Sequence, residues 1–197
     1  MKAIPTEDLA RAGYYAVLSR LFFAPPADSF LATLTAAGNV AQHGELPVTW
    51  NALCAAAGEA SAASAREEYD ALFVAIGKPR VVLYASWHLT GFMMEKPLAK
   101  LRDDLAELGL ARSADILEPE DHFAALMDVM RHLLLDAARA DTQRLAVQQD
   151  FFNGHVSTWH ESLCDAITAQ PDARLYRRVA EFARAFLEVE KILLETS

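Results

Sequence analysis

The chain has 197 residues, of which 53% are hydrophobic and 23% are charged. This composition excludes an intrinsically disordered chain, since it supplies enough apolar side chains for a folded core. The 27 acidic and 18 basic residues give a formal net charge of −9. Because such a surface repels phosphate backbones, we expect no nucleic-acid partner, and a basic partner such as an arginine-rich peptide suits the chain better.

Charged residues near the start of the chain argue against export. Glu7, Asp8 and Arg11 occupy the place where the apolar part of a secretory signal would lie. No apolar run approaches the ~20 residues that span a bilayer, so we expect no stable membrane insertion. Cys54 and Cys164 form no CxxC motif, and reduced thiols in a cytoplasmic protein are the simplest interpretation.

Helical periodicity dominates the chain. The predicted helices cover, in order, residues 6–23, 28–38, 50–57, 64–76, a short segment near 86–87, 98–108, 119–140, 141–152, 155–169 and 173–195. The one segment of strand-like composition, 80–84, follows Pro79 and has no partner strand, so we expect an extended loop there. The sequence therefore predicts an all-α, single-domain bundle of about nine or ten helices over residues 1–197.

Two helix starts carry specific signals. Ser64 and Glu67 match a capping box, and Gly77 is the predicted stop of that helix. Pro119 suits the first position of the central helix, where neighbouring acidic residues would face the positive end of the helix dipole. Asp121 and His122 then stand at a loop-to-helix junction, which we interpret either as an ordinary helix start or as a recognition site.

Catalytic and metal-binding motifs are weak. The sequence contains no phosphate-binding glycine loop, no GxSxG and no HExxH. Asp121 and His122 diverge by about 100° on a helix and cannot act as base and orienter. The best metal-like cluster comprises His155, His160, Glu161 and Cys164, for which surface polar residues are the simpler interpretation. His88 with Met93 and Met94 suggests a site for a soft metal, and an interpretation as core methionines explains the same residues equally well. We predict no catalytic residue, metal or cofactor, and no enzyme.

A set of aromatic and apolar residues suggests a peptide groove. The set, which we expect to be semi-exposed, comprises Tyr69, Leu72, Phe73, Tyr84, Trp87 and Phe123. Apolar walls accept a helix or an extended segment, and nearby carboxylates accept arginine or lysine. Glu118 and Asp121 supply those carboxylates, with His122 beside them.

Several motifs, in the same order along nearly the whole chain, resemble the TorD/DmsD group of redox-enzyme maturation chaperones, of which NarJ is a more distant branch. They are the helix at 15–22 followed by Pro25-Pro26, the element Glu68-Tyr69-x-x-Leu72-Phe73, the loop from Pro79 to Tyr84-x-Ser86-Trp87, the junction Glu118-Pro119-x-Asp121-His122, the Phe151/Phe152, His155 and Trp159 pattern, and the helix from Tyr176 to Phe186-Leu187. This chain has Tyr69 where the best-known members have tryptophan, and a more apolar segment at 80–83.

The resemblance implies a cytoplasmic chaperone. Such proteins bind the twin-arginine signal peptide, or the apo form, of a molybdopterin-dependent oxidoreductase and delay its export until the cofactor is inserted. The implied peptide-binding residues are Tyr69, Leu72, Phe73, Pro79, Ser86, Trp87, Pro119, Asp121 and His122, and the groove composition adds Tyr84, Glu118 and Phe123. The implied assembly is a monomer or a dimer that exchanges helices, with residues 109–118 as a hinge.

Two other function classes stay open at this point. A metal- or nucleotide-dependent helical enzyme would use the cluster around His155, His160 and Cys164. A structural subunit of a hetero-oligomer would show a large exposed apolar patch and one permanent partner.

Overall fold

The computed structural model describes residues 4–41, 43–74 and 78–195, and within these residues the chain is all-α. The ten helices found in these residues are α1 (Thr6–Phe23), α2 (Asp28–Ala36), α3 (Glu45–Glu59), α4 (Ala62–Phe73), α5 (Ala85–Thr90), α6 (Lys96–Glu107), α7 (Phe123–Leu135), α8 (Asp141–His155), α9 (His160–Thr168) and α10 (Leu175–Glu195). The fold class and the helix number predicted from the sequence are confirmed. None of the described helices combines the length and the apolar character that a bilayer crossing requires.

The described residues form two compact units. Unit 1 comprises residues 4–19, 83–159 and 191–195, and therefore contains α5 to α8 with most of α1. Unit 2 comprises residues 20–74, 78–82 and 160–190, and contains α2 to α4, α9 and most of α10. Each unit has its own buried aromatic residues, among them Phe123 and Phe152 in unit 1 and Phe22 and Tyr176 in unit 2.

The start of α4 differs from the predicted capping box. Ser61 is the N-cap, and its Oγ accepts a hydrogen bond from the Ser64 N–H at 3.2 Å. The Ser64 hydroxyl returns a contact to the Ser61 N–H at 3.0 Å, so Ser64 is the third helical residue and not the cap. The helix ends at Phe73, and the predicted stop at Gly77 lies outside the described residues.

The central helix is shorter than predicted. It begins at Phe123, with His122 as N-cap, and ends at Leu135. Pro119 lies in the turn that precedes it, where its carbonyl accepts the His122 N–H at 3.2 Å, so the placement of Pro119 at the first helical position is wrong. Of the break or kink predicted at 153–154, the break is wrong, because α8 runs through Gly154 to His155.

Candidate functional site

Eight of the predicted site residues lie together in unit 1, where the loop before α5 meets the residues before α7. We call this arrangement the α5–α7 corner, and its members are Tyr84, Ser86, Trp87, Glu118, Pro119, Asp121, His122 and Phe123. An isolated antiparallel bridge joins Tyr84 to His122. The Phe123 N–H donates to the Leu83 carbonyl at 2.8 Å, and the Ala85 N–H donates to the Asp121 carbonyl at 3.0 Å. Backbone hydrogen bonds thus fix the two segments against each other.

The Asp121 side chain stabilises the start of α5. Its Oδ2 accepts the Ser86 N–H at 2.9 Å and the Ser86 hydroxyl at 2.5 Å. Only 1% of Asp121 is exposed, and Ser86 is fully buried. The buried Asp121 carboxylate thus accepts an N–H in the first turn of α5, although Asp121 itself lies in the segment before α7.

One oxygen of the same carboxylate is left over. The Oδ1 of Asp121 is shielded from solvent and has no hydrogen-bond partner among the described residues. A buried acceptor without a partner loses its hydration and gains nothing in return, at a typical cost of about 1–3 kcal/mol and more when it carries charge. This unsatisfied oxygen is the most unusual polar group of the corner.

His122 is a neutral N-cap. Its Nδ1 accepts the Ala124 N–H at 3.2 Å, which requires an unprotonated Nδ1. Burial is the main reason that the pKa of His122 falls to about 4, although the nearby charges of Glu118 and Asp121 oppose this. The imidazole therefore adds no positive charge to the corner at neutral pH, and its ring packs edge-on against Tyr84 with centroids 5.1 Å apart.

The remaining acidic residues are positioned differently. Glu118 is exposed and accepts a hydrogen bond from the Tyr84 hydroxyl. Glu120 is bound by two arginines, Arg102 at 2.9 Å and Arg112 at 3.5 Å. Glu118 is thus the carboxylate of this segment that lies at the surface. The negative charge of Glu120 is compensated by Arg102 and Arg112.

An exposed apolar segment begins at Leu89 in the last turn of α5 and continues beyond that helix, and sequence reasoning missed it. Leu89 is 42% exposed, Phe92 67%, Met93 39% and Met94 70%. The interpretation of Met93 and Met94 as core methionines is therefore wrong. Gly91 ends α5 with φ +80°, and Met94 has φ +58°, a conformation that side chains other than glycine adopt at a cost. The uncharged run at 81–94 marks these residues as apolar but does not indicate that they are exposed.

The other four predicted site residues belong to unit 2. Tyr69 is 7% exposed and Leu72 1%, while Phe73 and Pro79 are half-buried. The Tyr69 hydroxyl donates to the carbonyls of Phe22 at 3.0 Å and Phe23 at 3.2 Å, and its ring packs edge-on against Phe73. The expected semi-exposure is therefore wrong for Tyr69 and Leu72, and also for Phe123, which is fully buried in unit 1. Tyr84, Trp87 and Phe73 are half-buried, as expected.

The residues of the metal-like cluster have separate partners. In unit 1, His155 Nε2 lies 2.6 Å from Asp104 Oδ2. In unit 2, His160 Nε2 lies 3.4 Å from Glu188 Oε1, and the ligand atoms of His160, Glu161 and Glu188 lie within 4.8 Å of one another. Burial raises the pKa of Cys164 to about 12, which opposes formation of the thiolate that binds metals. Cys164 is therefore a buried structural thiol.

Comparison with known proteins identifies the class. The family model described as "Nitrate reductase delta subunit" matches residues 42–165, which is more than half of the chain. The chain belongs to this family, and the resemblance noted in the sequence is confirmed.

Curated relatives carry the name of a chaperone. The chain is 28% identical over 130 residues to the "Chaperone protein TorD" of Vibrio cholerae, a match that covers 63% of this chain and 59% of the relative. It is 25% identical over 134 residues to the protein of the same name from Photobacterium profundum, covering 64% and 62%. The matches thus span about three fifths of these relatives. That they are chaperones and not enzymes supports the prediction that this chain is not an enzyme.

Proposed function

We propose that this protein is a cytoplasmic chaperone for the maturation of a molybdopterin-dependent oxidoreductase. It binds the twin-arginine signal peptide, the apoenzyme or both, and delays export while the cofactor is inserted. Membership of the family and the chaperone relatives support the class. The observation that carries the peptide-binding role is the exposed apolar segment Leu89, Phe92, Met93 and Met94, which follows directly from the acidic α5–α7 corner in unit 1.

The two surfaces match the two parts of a signal peptide. Such peptides have a positively charged start and an apolar stretch of 7–15 residues. Exposed methionines adapt their shape to varied apolar partners, so Met93 and Met94 suit a stretch of variable sequence. The net charge of −9 attracts the basic start, and Glu118 places a surface carboxylate beside the corner.

The corner residues divide into two roles in this proposal. Tyr84, Trp87, Glu118 and Pro119 are half-buried or exposed and contact the peptide directly. Ser86, Asp121, His122 and Phe123 are buried and hold the corner in shape. In unit 2, Phe73 and Pro79 keep partial exposure, whereas Tyr69 and Leu72 support the core beneath them.

Titration of a fluorescent peptide tests the proposal. The peptide carries two consecutive arginines followed by an apolar stretch, and its control has glutamine at both arginines. We expect micromolar binding of the arginine peptide and at least tenfold weaker binding of the control. The double variant Phe92→Ser, Met94→Ser should bind at least tenfold more weakly, because it removes two exposed apolar contacts.

A matched substitution controls for changed surface apolarity. Leu9 is 52% exposed on α1 of unit 1, away from the corner in sequence, so Leu9→Ser should bind the peptide like the wild-type protein. Equal affinity of the double variant and Leu9→Ser would reject the apolar segment as the binding surface. Equal affinity of the wild-type protein for both peptides would reject the twin-arginine specificity.

A further inference from the structure

Polar contacts connect α9 to α10 within unit 2. Near the turn between the two helices, the Arg177 guanidinium donates to the carbonyl of the last residue of α9 at 2.7 Å. Further from the turn, Arg184 forms an ion pair with Asp165. Because residues later in α10 meet residues earlier in α9, the two helices run antiparallel. Of these contacts, the one farthest from the turn joins His160 to Glu188.

The pair of His160 and Glu188 differs from the pair of His155 and Asp104 in unit 1. His155 Nε2 lies 2.6 Å from Asp104 Oδ2, which is a hydrogen-bond distance. His160 is fully buried, and its Nε2 lies 3.4 Å from Glu188 Oε1, with both atoms shielded from solvent. The interpretation of His160 as a surface polar residue is therefore wrong.

The distance of 3.4 Å between His160 Nε2 and Glu188 Oε1 fits two ligands of one metal ion. It exceeds the ~2.7–3.2 Å of an N–H···O hydrogen bond. Two ligands that each lie ~2.1 Å from a tetrahedral zinc ion are separated by roughly 3.4 Å, since the angle between them is about 109°. The two atoms are thus already placed at the separation that zinc coordination requires.

Glu161 brings a second carboxylate to the same place. The ligand atoms of His160, Glu161 and Glu188 lie within 4.8 Å of one another. Glu161 is exposed and Glu188 is half-buried, so the cluster is closed on the imidazole side and open to solvent on the carboxylate side. Two carboxylates this close disfavour each other's charge, and a cation between them removes the repulsion.

Two neighbouring side chains have other roles. The charge of Arg184 reaches Glu161 through space, but its guanidinium donates to Asp165. Burial raises the pKa of Cys164 to about 12, so the thiol stays protonated and does not act as a ligand. One imidazole nitrogen and two carboxylate oxygens therefore form the ligand set, which zinc accepts with water in its fourth position.

We propose that His160, Glu161 and Glu188 bind a zinc ion that joins the start of α9 to α10. The ion holds the two helices together at the end far from their turn, as Arg177 does next to the turn. The imidazole ligand favours zinc over magnesium and calcium, which prefer oxygen ligands alone. The site shares no residue with the α5–α7 corner, so this inference does not depend on the proposed function.

Isothermal titration of the metal-free protein with zinc chloride provides the test. Glu188→Gln and Glu161→Gln each replace a charged ligand by an amide of nearly the same size, and we expect both to bind zinc at least tenfold more weakly than wild type. Glu181→Gln is the matched control, because Glu181 is a half-buried glutamate of α10 about two turns from Glu188 that pairs with Arg178. It should bind zinc within twofold of wild type.

Two results would overturn the site. One is the absence of zinc binding by the wild-type protein, and the other is equal affinity of Glu188→Gln and Glu181→Gln. Circular dichroism first checks that each variant is folded. Should Glu188→Gln not fold, the exposed position of Glu161 lets Glu161→Gln carry the same comparison.

Two further measurements identify the ligands and the structural role. Cobalt in place of zinc should give the visible bands of a tetrahedral site without the strong thiolate band, and a thiolate band would replace our ligand set by one that contains Cys164. Zinc should raise the melting temperature of wild type and of Glu181→Gln but not of Glu188→Gln, because an ion that binds the folded state stabilises it. An equal rise in all three proteins would place the zinc elsewhere.

Discussion

Two carboxylates stabilise the starts of helices in this protein, and they do so in opposite ways. In unit 2, Glu68 accepts the backbone N–H groups of Arg174 at 2.8 Å, Leu175 at 3.1 Å and Tyr176 at 2.8 Å, so both of its oxygens are used at the start of α10. In unit 1, Asp121 binds the start of α5 through Oδ2 alone, and Oδ1 meets no partner in the part of the chain that the structure describes.

The difference separates a structural group from a candidate recognition group. Glu68 has the contacts that a purely structural carboxylate needs, because each oxygen meets a donor of the helix N-terminus. Asp121 has structural contacts on one side and an unmet acceptor on the other, which the fold tolerates at a cost. An unsatisfied buried group in a native protein needs an explanation, and a functional role is one of them. Variants of Glu68 and Asp121 test whether the two carboxylates differ as their contacts indicate.

The largest effect is expected at Glu68. Glu68→Ala leaves three N–H groups at the start of α10 without their charged acceptor, so we expect a loss of about 3–4 kcal/mol in the free energy of unfolding. Urea unfolding followed by circular dichroism measures it. The neighbouring Glu67 is exposed, and Glu67→Ala should stay within about 0.5 kcal/mol of wild type. Equal effects at both positions would contradict the structural role of Glu68.

The next largest effect is the response of the corner to acid through His122. The pKa of His122 is about 4 in the folded protein and about 6.5 in an unfolded chain. Between these values the unfolded chain binds a proton that the folded protein does not bind. The contribution of neutral His122 to the free energy of unfolding is therefore fully present above pH 6.5 and is lost as the pH falls toward 4. The loss over this interval amounts to about 3 kcal/mol.

A variant isolates this contribution from other titrating groups. Asparagine is a good N-cap and does not titrate, so His122→Asn should retain the helix start and lose part of the acid sensitivity. The measurement is the free energy of unfolding of both proteins at several pH values between 7 and 4. Parallel curves for the two proteins would show that the imidazole of His122 does not stay neutral in the fold.

The sequence predicts the helices well because their determinants are local. Apolar periodicity locates α1 and α10 nearly to the residue, and Gly91 and Gly109 adopt the positive φ that a glycine at a helix end permits. The misplaced starts have a common cause. Ser61 and His122 cap α4 and α7, whereas the sequence offered the equally good signals Ser64 and Pro119. Local patterns do not decide between neighbouring caps, since packing selects one of them.

The sequence predicted which two segments meet at the α5–α7 corner, but it did not predict how deeply each of their side chains is buried. The motif from Glu118 to His122 and the loop from Tyr84 to Trp87 do meet in unit 1, as expected. The sequence did not indicate that Asp121 would be buried against Ser86, because this contact joins residues 35 positions apart. The exposure of Phe92 and Met94 was equally hidden, since an apolar residue in a turn resembles a core residue until the fold is known.

A smaller effect is expected from Ser86, the partner of Asp121. Ser86→Ala removes the hydroxyl that donates to Oδ2 at 2.5 Å and leaves the carboxylate with the Ser86 N–H alone. We expect a loss of about 2 kcal/mol in the free energy of unfolding, the usual size for one hydrogen bond to a charged group. Ser29 is an exposed serine in α2, and Ser29→Ala serves as the control, expected within about 0.5 kcal/mol.

The smallest effect gives the sharpest comparison, because one chemical change is made at both carboxylates. Glu68→Gln places an amide donor against at least one N–H of α10 and should lower the free energy of unfolding by about 2 kcal/mol. Asp121→Asn keeps an acceptor for Ser86 and replaces an unsatisfied buried charge by a neutral group, so its stability should change by less than about 1 kcal/mol, in either direction. Both are measured by urea unfolding. A loss at Asp121 as large as that at Glu68 would mean that the second oxygen of Asp121 already has a partner in the folded protein.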